Sequence, residues 1–187
     1  MVCNGHSIYR APRWDTPGNG RRLTAPLDVK AWLEDTGSLT RRVRFACNGR
    51  FNVHVRRQDS GKCYYDEARL LGADPSHYAV IREVELRCGE APWVFARTII
   101  PVMTLKGPAR RLTMLGNKPL GAVLFADPSA DRGQTQFSQL LPGQELFESA
   151  VIGLPARPDS LWGRRTLFYL AGKPLLVNEI FLPGIPL

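Results

Sequence analysis

Long apolar runs are missing. No stretch of the 187 residues approaches the ~18 uncharged apolar positions that a membrane helix needs, which argues against insertion by a helix. The opening Met1-Val2-Cys3-Asn4-Gly5-His6 holds no apolar signal core, so export is not expected and the cytoplasm is the expected location. Cysteine is sparse: Cys3, Cys47, Cys63 and Cys88 form no CxxC pair, and no histidine follows at zinc-like spacing. The expectation is four reduced thiols, as the cytosol maintains them. Histidine is rarer still. His6, His54 and His77 are scattered, which leaves no visible metal cluster and no Ser-His-Asp arrangement. Neither a glycine-rich phosphate loop nor a GxSxG elbow is present.

What is present is an ordinary globular composition. Hydrophobic residues make up 44% and charged residues 22%, enough for one domain with a core that needs no metal. The net charge is +8, concentrated in the first third in pairs such as Arg21-Arg22, Arg41-Arg42 and Arg56-Arg57. No basic helix with interleaved aromatics accompanies it, so nucleic-acid binding is not expected. A basic surface that steers small anions is the simpler reading.

Residues 1–25 read as an irregular lead carrying Pro12, Pro17, Gly18 and Gly20, and 26–187 as a single domain. A first helix begins near Pro26, with Leu27, Trp32 and Leu33 as its apolar stripe. Ser38 caps a second, running to about Ala46. Phe51, Val53 and Val55 alternate as in a strand, and Asp59-Ser60-Gly61 reads as a turn. A helical turn falls around Asp66–Leu71. Tyr78–Leu86 and Trp93–Val102 read as a hairpin, followed by two short helices, one opened by Gly107-Pro108 and one over Leu120–Phe125. Residues 127–157 read as an extended loop or insertion, with a strand at Leu146–Ile152. Trp162–Leu170 and Leu175–Phe181 form the last hairpin. The class is α+β: an antiparallel sheet with helices packed on one side.

Strand parity carries the chemical signal, because residues i and i+2 share a face. Arg82 falls among Tyr78, Val80, Val84 and Leu86, while Glu83, Glu85 and Arg87 form a charged face expected to meet water. Arg97 falls among Trp93, Phe95 and Ile99, and Glu179 among Leu175, Val177 and Phe181. A buried charge is costly unless paired. An internal Arg–Glu salt bridge is one explanation. The other is a cavity in which two guanidiniums and one carboxylate leave a positive charge for an anionic ligand. Two arginines suggest a dicarboxylate, with Glu179 as a neutral acid whose pKa is raised by burial and by the anion.

Several motifs resemble the chorismate pyruvate-lyase family. They are Trp32-Leu33 with Ser38-Leu39-Thr40, Arg82-Glu83 before Pro92-Trp93, and Arg97-Thr98 with Pro101-Val102. Lys118-Pro119-Leu120-Gly121, Leu161-Trp162-Gly163-Arg164-Arg165 and Gly172-Lys173-Pro174-Leu175-Leu176 through Glu179 complete the set. The resemblance spans about residues 26–187. It is weak over 44–75, and the chain is longer than compact members around 127–157. It implies helical flaps over an internal ligand cavity, and conversion of chorismate to pyruvate and 4-hydroxybenzoate, the ring precursor of ubiquinone. It implies no cofactor, no metal and a monomer. By resemblance Arg82 holds the ring carboxylate, the Leu120 backbone assists, and Glu179 faces the ring hydroxyl and the leaving ether. Leu39 is the apolar flap residue, and Arg97 is a lesser candidate for the side-chain carboxylate. The Gly163-Arg164-Arg165 run reads as exposed or paired arginines rather than a catalytic feature. The rival class is a non-catalytic sensor domain of the same fold. Such a regulator would need a DNA-binding module, for which a 25-residue lead is too short.

Overall fold

The computed structural model describes residues 10–17 and 24–186. Cys3, His6, Gly18, Gly20, Arg21 and Arg22 lie outside them. Helices α1 (Leu27–Leu33) and α2 (Leu39–Ala46) lead into β1 (Phe51–Lys62), α3 (Tyr65–Leu71), β2 (Tyr78–Cys88) and β3 (Ala91–Pro101). Two 3₁₀ segments, Val102–Thr104 and Gly107–Met114, precede α4 (Leu120–Leu124), β4 (Ala130–Leu140), α5 (Glu145–Val151), β5 (Leu161–Leu170) and β6 (Lys173–Phe181). All pairings are antiparallel, in the order β1-β2-β3-β6-β5-β4. This is the expected α+β sheet with helical flaps.

Local chemistry explains several boundaries. Ser38 Oγ accepts from the Arg41 N–H at 3.4 Å and caps α2. The Tyr64 N–H donates to Glu67 Oε2 at 2.9 Å at the start of α3. The β5–β6 turn places Ala171 and Gly172 at positive φ, as a tight two-residue hairpin requires.

One sheet face packs on α1, α2, α4 and the 3₁₀ segment Gly107–Met114. Trp32, Leu39 and Val43 meet Val84, Leu86, Val94 and Phe181, and Leu112 and Leu124 meet Ile100 and Val177. The opposite face is covered too, so helices flank both faces of the sheet rather than the one side expected. α5 brings Leu146 and Phe147 onto Phe95, Leu140 and Ile180, and Leu71 of α3 joins Ile81, Ile99 and Leu176. Glu83 and Glu85, expected to meet water, are therefore buried.

Four local readings change. Asp59-Ser60-Gly61 continues β1, an edge strand whose outer half is largely exposed. Segment 127–157 is not a loop but carries β4 and α5, and Leu146–Ile152 is helical rather than extended. Leu27 projects from α1 at 84% exposure instead of joining its stripe. Cys47 and Cys88 form a disulfide that ties the end of α2 to the end of β2, while Cys63 is free. The cysteines lie 41 positions apart, a pairing that spacing alone does not reveal.

Candidate active site

A cavity lies between the sheet and the two flaps. Its floor follows from register, since residues directly opposite each other share a face. One row runs Val84–Ala96–Glu179–Arg164, and the next Arg82–Thr98–Val177–Thr166. Ser38, Leu39 and Thr40 of the first flap and Pro119, Leu120 and Gly121 of the second complete the lining. The flaps nearly touch: a Cβ on Gly121 would lie 3.4 Å from Ser38 Oγ.

Arg82 is buried at 2% exposure and has no carboxylate partner among the described residues. Its Nη2 donates to the carbonyls of Gly116 and Lys118, both at 3.0 Å, so the guanidinium holds the link between the 3₁₀ segment Gly107–Met114 and α4 in place. Its Nε is buried without any hydrogen bond. Burial pushes the Arg82 pKa below its ordinary value. A buried cation with an idle donor is poised for an anion.

Glu179 accepts from Arg164 Nε through Oε2 at 2.6 Å. Arg164 Nη1 also reaches the carbonyls of Trp32, Leu33 and Asp35, capping the C-terminal end of α1. Thus Arg164 couples the first flap to the carboxylate. Arg132 of β4 completes the polar lining and donates to the Thr36 carbonyl at the α1–α2 turn. Arg132 and Arg164 are functional candidates that the sequence reading missed. β4 had no strand signal there, and Arg164 lay in a run expected to hold exposed or paired arginines; it is indeed paired, but inside the cavity.

Arg97 is elsewhere. It pairs with Glu83 across β2–β3, so it occupies the opposite face from Arg82, which pairs with Thr98. Its Nη1 donates to Glu83 Oε1 at 2.6 Å, and its Nε and Nη2 grip Glu67 at 3.0 and 3.1 Å. Burial works against its charge, but Glu67, Tyr64 and Glu83 outweigh it and raise the pKa. The expected role in holding a ligand carboxylate is withdrawn: Arg97 is the centre of an internal salt bridge. Strand parity was correct within β3, but both faces of that strand are covered, so apolar neighbours could not identify the cavity side. The cavity charge also changes. Three guanidiniums, Arg82, Arg132 and Arg164, face one carboxylate, leaving two positive charges.

Fold and site together define a small-molecule domain: a cationic cavity on an antiparallel sheet beneath two helical flaps. The family model described as Chorismate lyase matches residues 14–186, and the chain belongs to that family. A relative from Methylococcus capsulatus named "Probable chorismate pyruvate-lyase" is 43% identical over 84% of this chain and 96% of its own. A Nitrosomonas europaea relative of the same name is 41% identical over 87% of this chain and 91% of its own.

Among solved structures, PhnF from Mycobacterium smegmatis shares the fold with a TM-score of 0.59 and 15% identity, over 80% of this chain and 65% of that one. A GntR-family transcriptional regulator from Bacillus cereus has a TM-score of 0.53 and 11% identity, over 73% of this chain and 95% of that one. These likenesses concern the fold alone.

Proposed function

We propose that the protein is a chorismate pyruvate-lyase that eliminates pyruvate from chorismate to give 4-hydroxybenzoate, the entry step of ubiquinone biosynthesis in the cytoplasm. The observation that carries the reading is the cavity's uncompensated double positive charge. Chorismate is a dicarboxylate, and its two carboxylates bring the site to neutrality. Arg82 binds the ring carboxylate with its idle Nε, and the Leu120 N–H assists from the first turn of α4, where a helix has no internal partner for it. Leu39, 2% exposed, closes the apolar side of the ring from the first flap.

The reaction removes the hydrogen at the hydroxyl-bearing ring carbon and breaks the neighbouring C–O bond. The ring becomes aromatic, and the side chain departs with the C–O electron pair as the enolate, which takes up one proton on carbon to become pyruvate. Aromatisation supplies the driving force, and the residues named here need no cofactor to assist it. The protein orients the dianion and stabilises charge that develops on the leaving oxygen. Glu179, held in position by Arg164, accepts the hydrogen bond of the ring hydroxyl beside the leaving ether.

Chromatography of products from the purified wild type, Arg82→Ala and Glu179→Ala tests the reading. Pyruvate and 4-hydroxybenzoate in equal amounts, lost in both variants, support it. A wild type that binds 4-hydroxybenzoate yet leaves chorismate intact would replace it with a sensor function.

A further inference from the structure

With Arg97 on the other face, the second carboxylate of a dianionic ligand needs another holder. Arg164 is engaged by Glu179 and the end of α1. That leaves Arg132, which lines the cavity and has a single carbonyl partner, Thr36 O, among the described residues.

Its presence there depends on a bulge. β4 and β5 pair Arg132 with Phe168 and Thr135 with Thr166, so β4 spends three steps where β5 spends two. Counting back from Phe137 and Thr135, a regular strand would turn Asp131 toward the cavity and Arg132 away. The extra residue reverses this and puts a cation, not an anion, beside the site. Gly133 makes the bulge possible: a Cβ there would lie 3.0 Å from both the Leu167 carbonyl oxygen and Tyr169 Cε2.

Position along the cavity also matters. The Arg132 guanidinium donates to the Thr36 carbonyl, next to the Asp35 carbonyl that takes Arg164, and Arg164 in turn holds Glu179. It therefore stands at the Glu179 end, where the ether and its side chain lie if Arg82 holds the ring carboxylate. Resting on the lyase reading, we infer that Arg132 binds the carboxylate of the enolpyruvyl side chain and so separates the dianionic substrate from the monoanionic product. After C–O cleavage this contact goes with the departing pyruvate, and 4-hydroxybenzoate keeps only the Arg82 end.

The test compares wild type, Arg132→Gln, Arg132→Lys and Arg82→Gln in chorismate turnover and in calorimetric binding of 4-hydroxybenzoate. Loss of one charge-assisted contact predicts a ~10–100-fold fall in kcat/KM for Arg132→Gln. Partial rescue by lysine and 4-hydroxybenzoate affinity within about twofold of wild type are expected, following from loss of a bidentate but not an ionic contact. Arg82→Gln weakens both readouts. Unchanged turnover in Arg132→Gln, or an equal loss of product affinity, overturns the assignment while leaving the lyase reading intact. Failure of the wild type to turn over chorismate overturns both.

Discussion

Arg82 and Arg97 are equally buried, at 2% exposure each, yet replacing them is expected to have opposite consequences. In Arg97→Met, Glu67 and Glu83 lose their shared cation, at exposures of 1% and 8%. Breaking a buried pair by removing one partner costs about 3–5 kcal/mol. At about 2–4 °C per kcal/mol for a chain of this size, Tm falls by ~6–20 °C. Arg97 lines no part of the cavity, so kcat/KM of the folded fraction stays within about twofold of wild type, as for a site without shared partners. In Arg82→Met the two carbonyl contacts are lost, about 1.5–3 kcal/mol each. Removing a buried cation without a counter-ion returns a comparable several kcal/mol. Stability should therefore shift by no more than about 2 kcal/mol, while turnover collapses, the usual trade between a binding site and stability. Urea melts read beside steady-state kinetics measure both. A stable Arg97→Met with a raised KM, or an active Arg82→Met, would refute this division of roles.

Glu179→Gln should lower kcat by ~10²–10⁴-fold, the range for an acid–base partner, with 4-hydroxybenzoate still bound through Arg82; calorimetry and kinetics check both. Burial raises the Asp35 pKa, but the Gly37 N–H, Arg42 and Arg164 outweigh it, and the net value lies below the ordinary 3.8. Its stabilising contribution is present above pH 3.8 and is lost as pH falls through the lower folded value, so urea melts across that range should be flatter for Asp35→Asn than for wild type. Reducing the Cys47–Cys88 disulfide frees a 41-residue loop and should cost about 2–4 kcal/mol, seen as a lower Tm with reductant and no such change in Cys47→Ser.

The sequence was legible where one periodicity dominated. β2, β3, β5 and β6 alternate strongly, and their expected bounds lie within a few residues of the observed ones. β4, read as part of a loop, is a polar edge strand, Ala-Asp-Arg-Gly-Gln-Thr-Gln, with little intrinsic preference for extension. α5 failed because a short apolar run such as Leu146–Ile152 fits strand and helix alike.

The site was half legible for a related reason. Parity marked Arg82 and Glu179 as charges on apolar faces, and resemblance pointed to Leu39 and Leu120; all four line the cavity. Deciding which face of β3 carries Arg97 requires the register between strands. Placing Arg132 requires a bulge, which no local pattern announces. The charge count was right in sign and wrong in membership: the arginine opposite Glu83 is satisfied internally, and two others take its place.

The most direct measurement is the fate of chorismate with the purified wild-type protein in EDTA. The account predicts pyruvate and 4-hydroxybenzoate appearing together, one to one, at a rate proportional to protein. Chorismate bound and recovered intact would contradict it, and the cationic cavity would then be a binding site without chemistry.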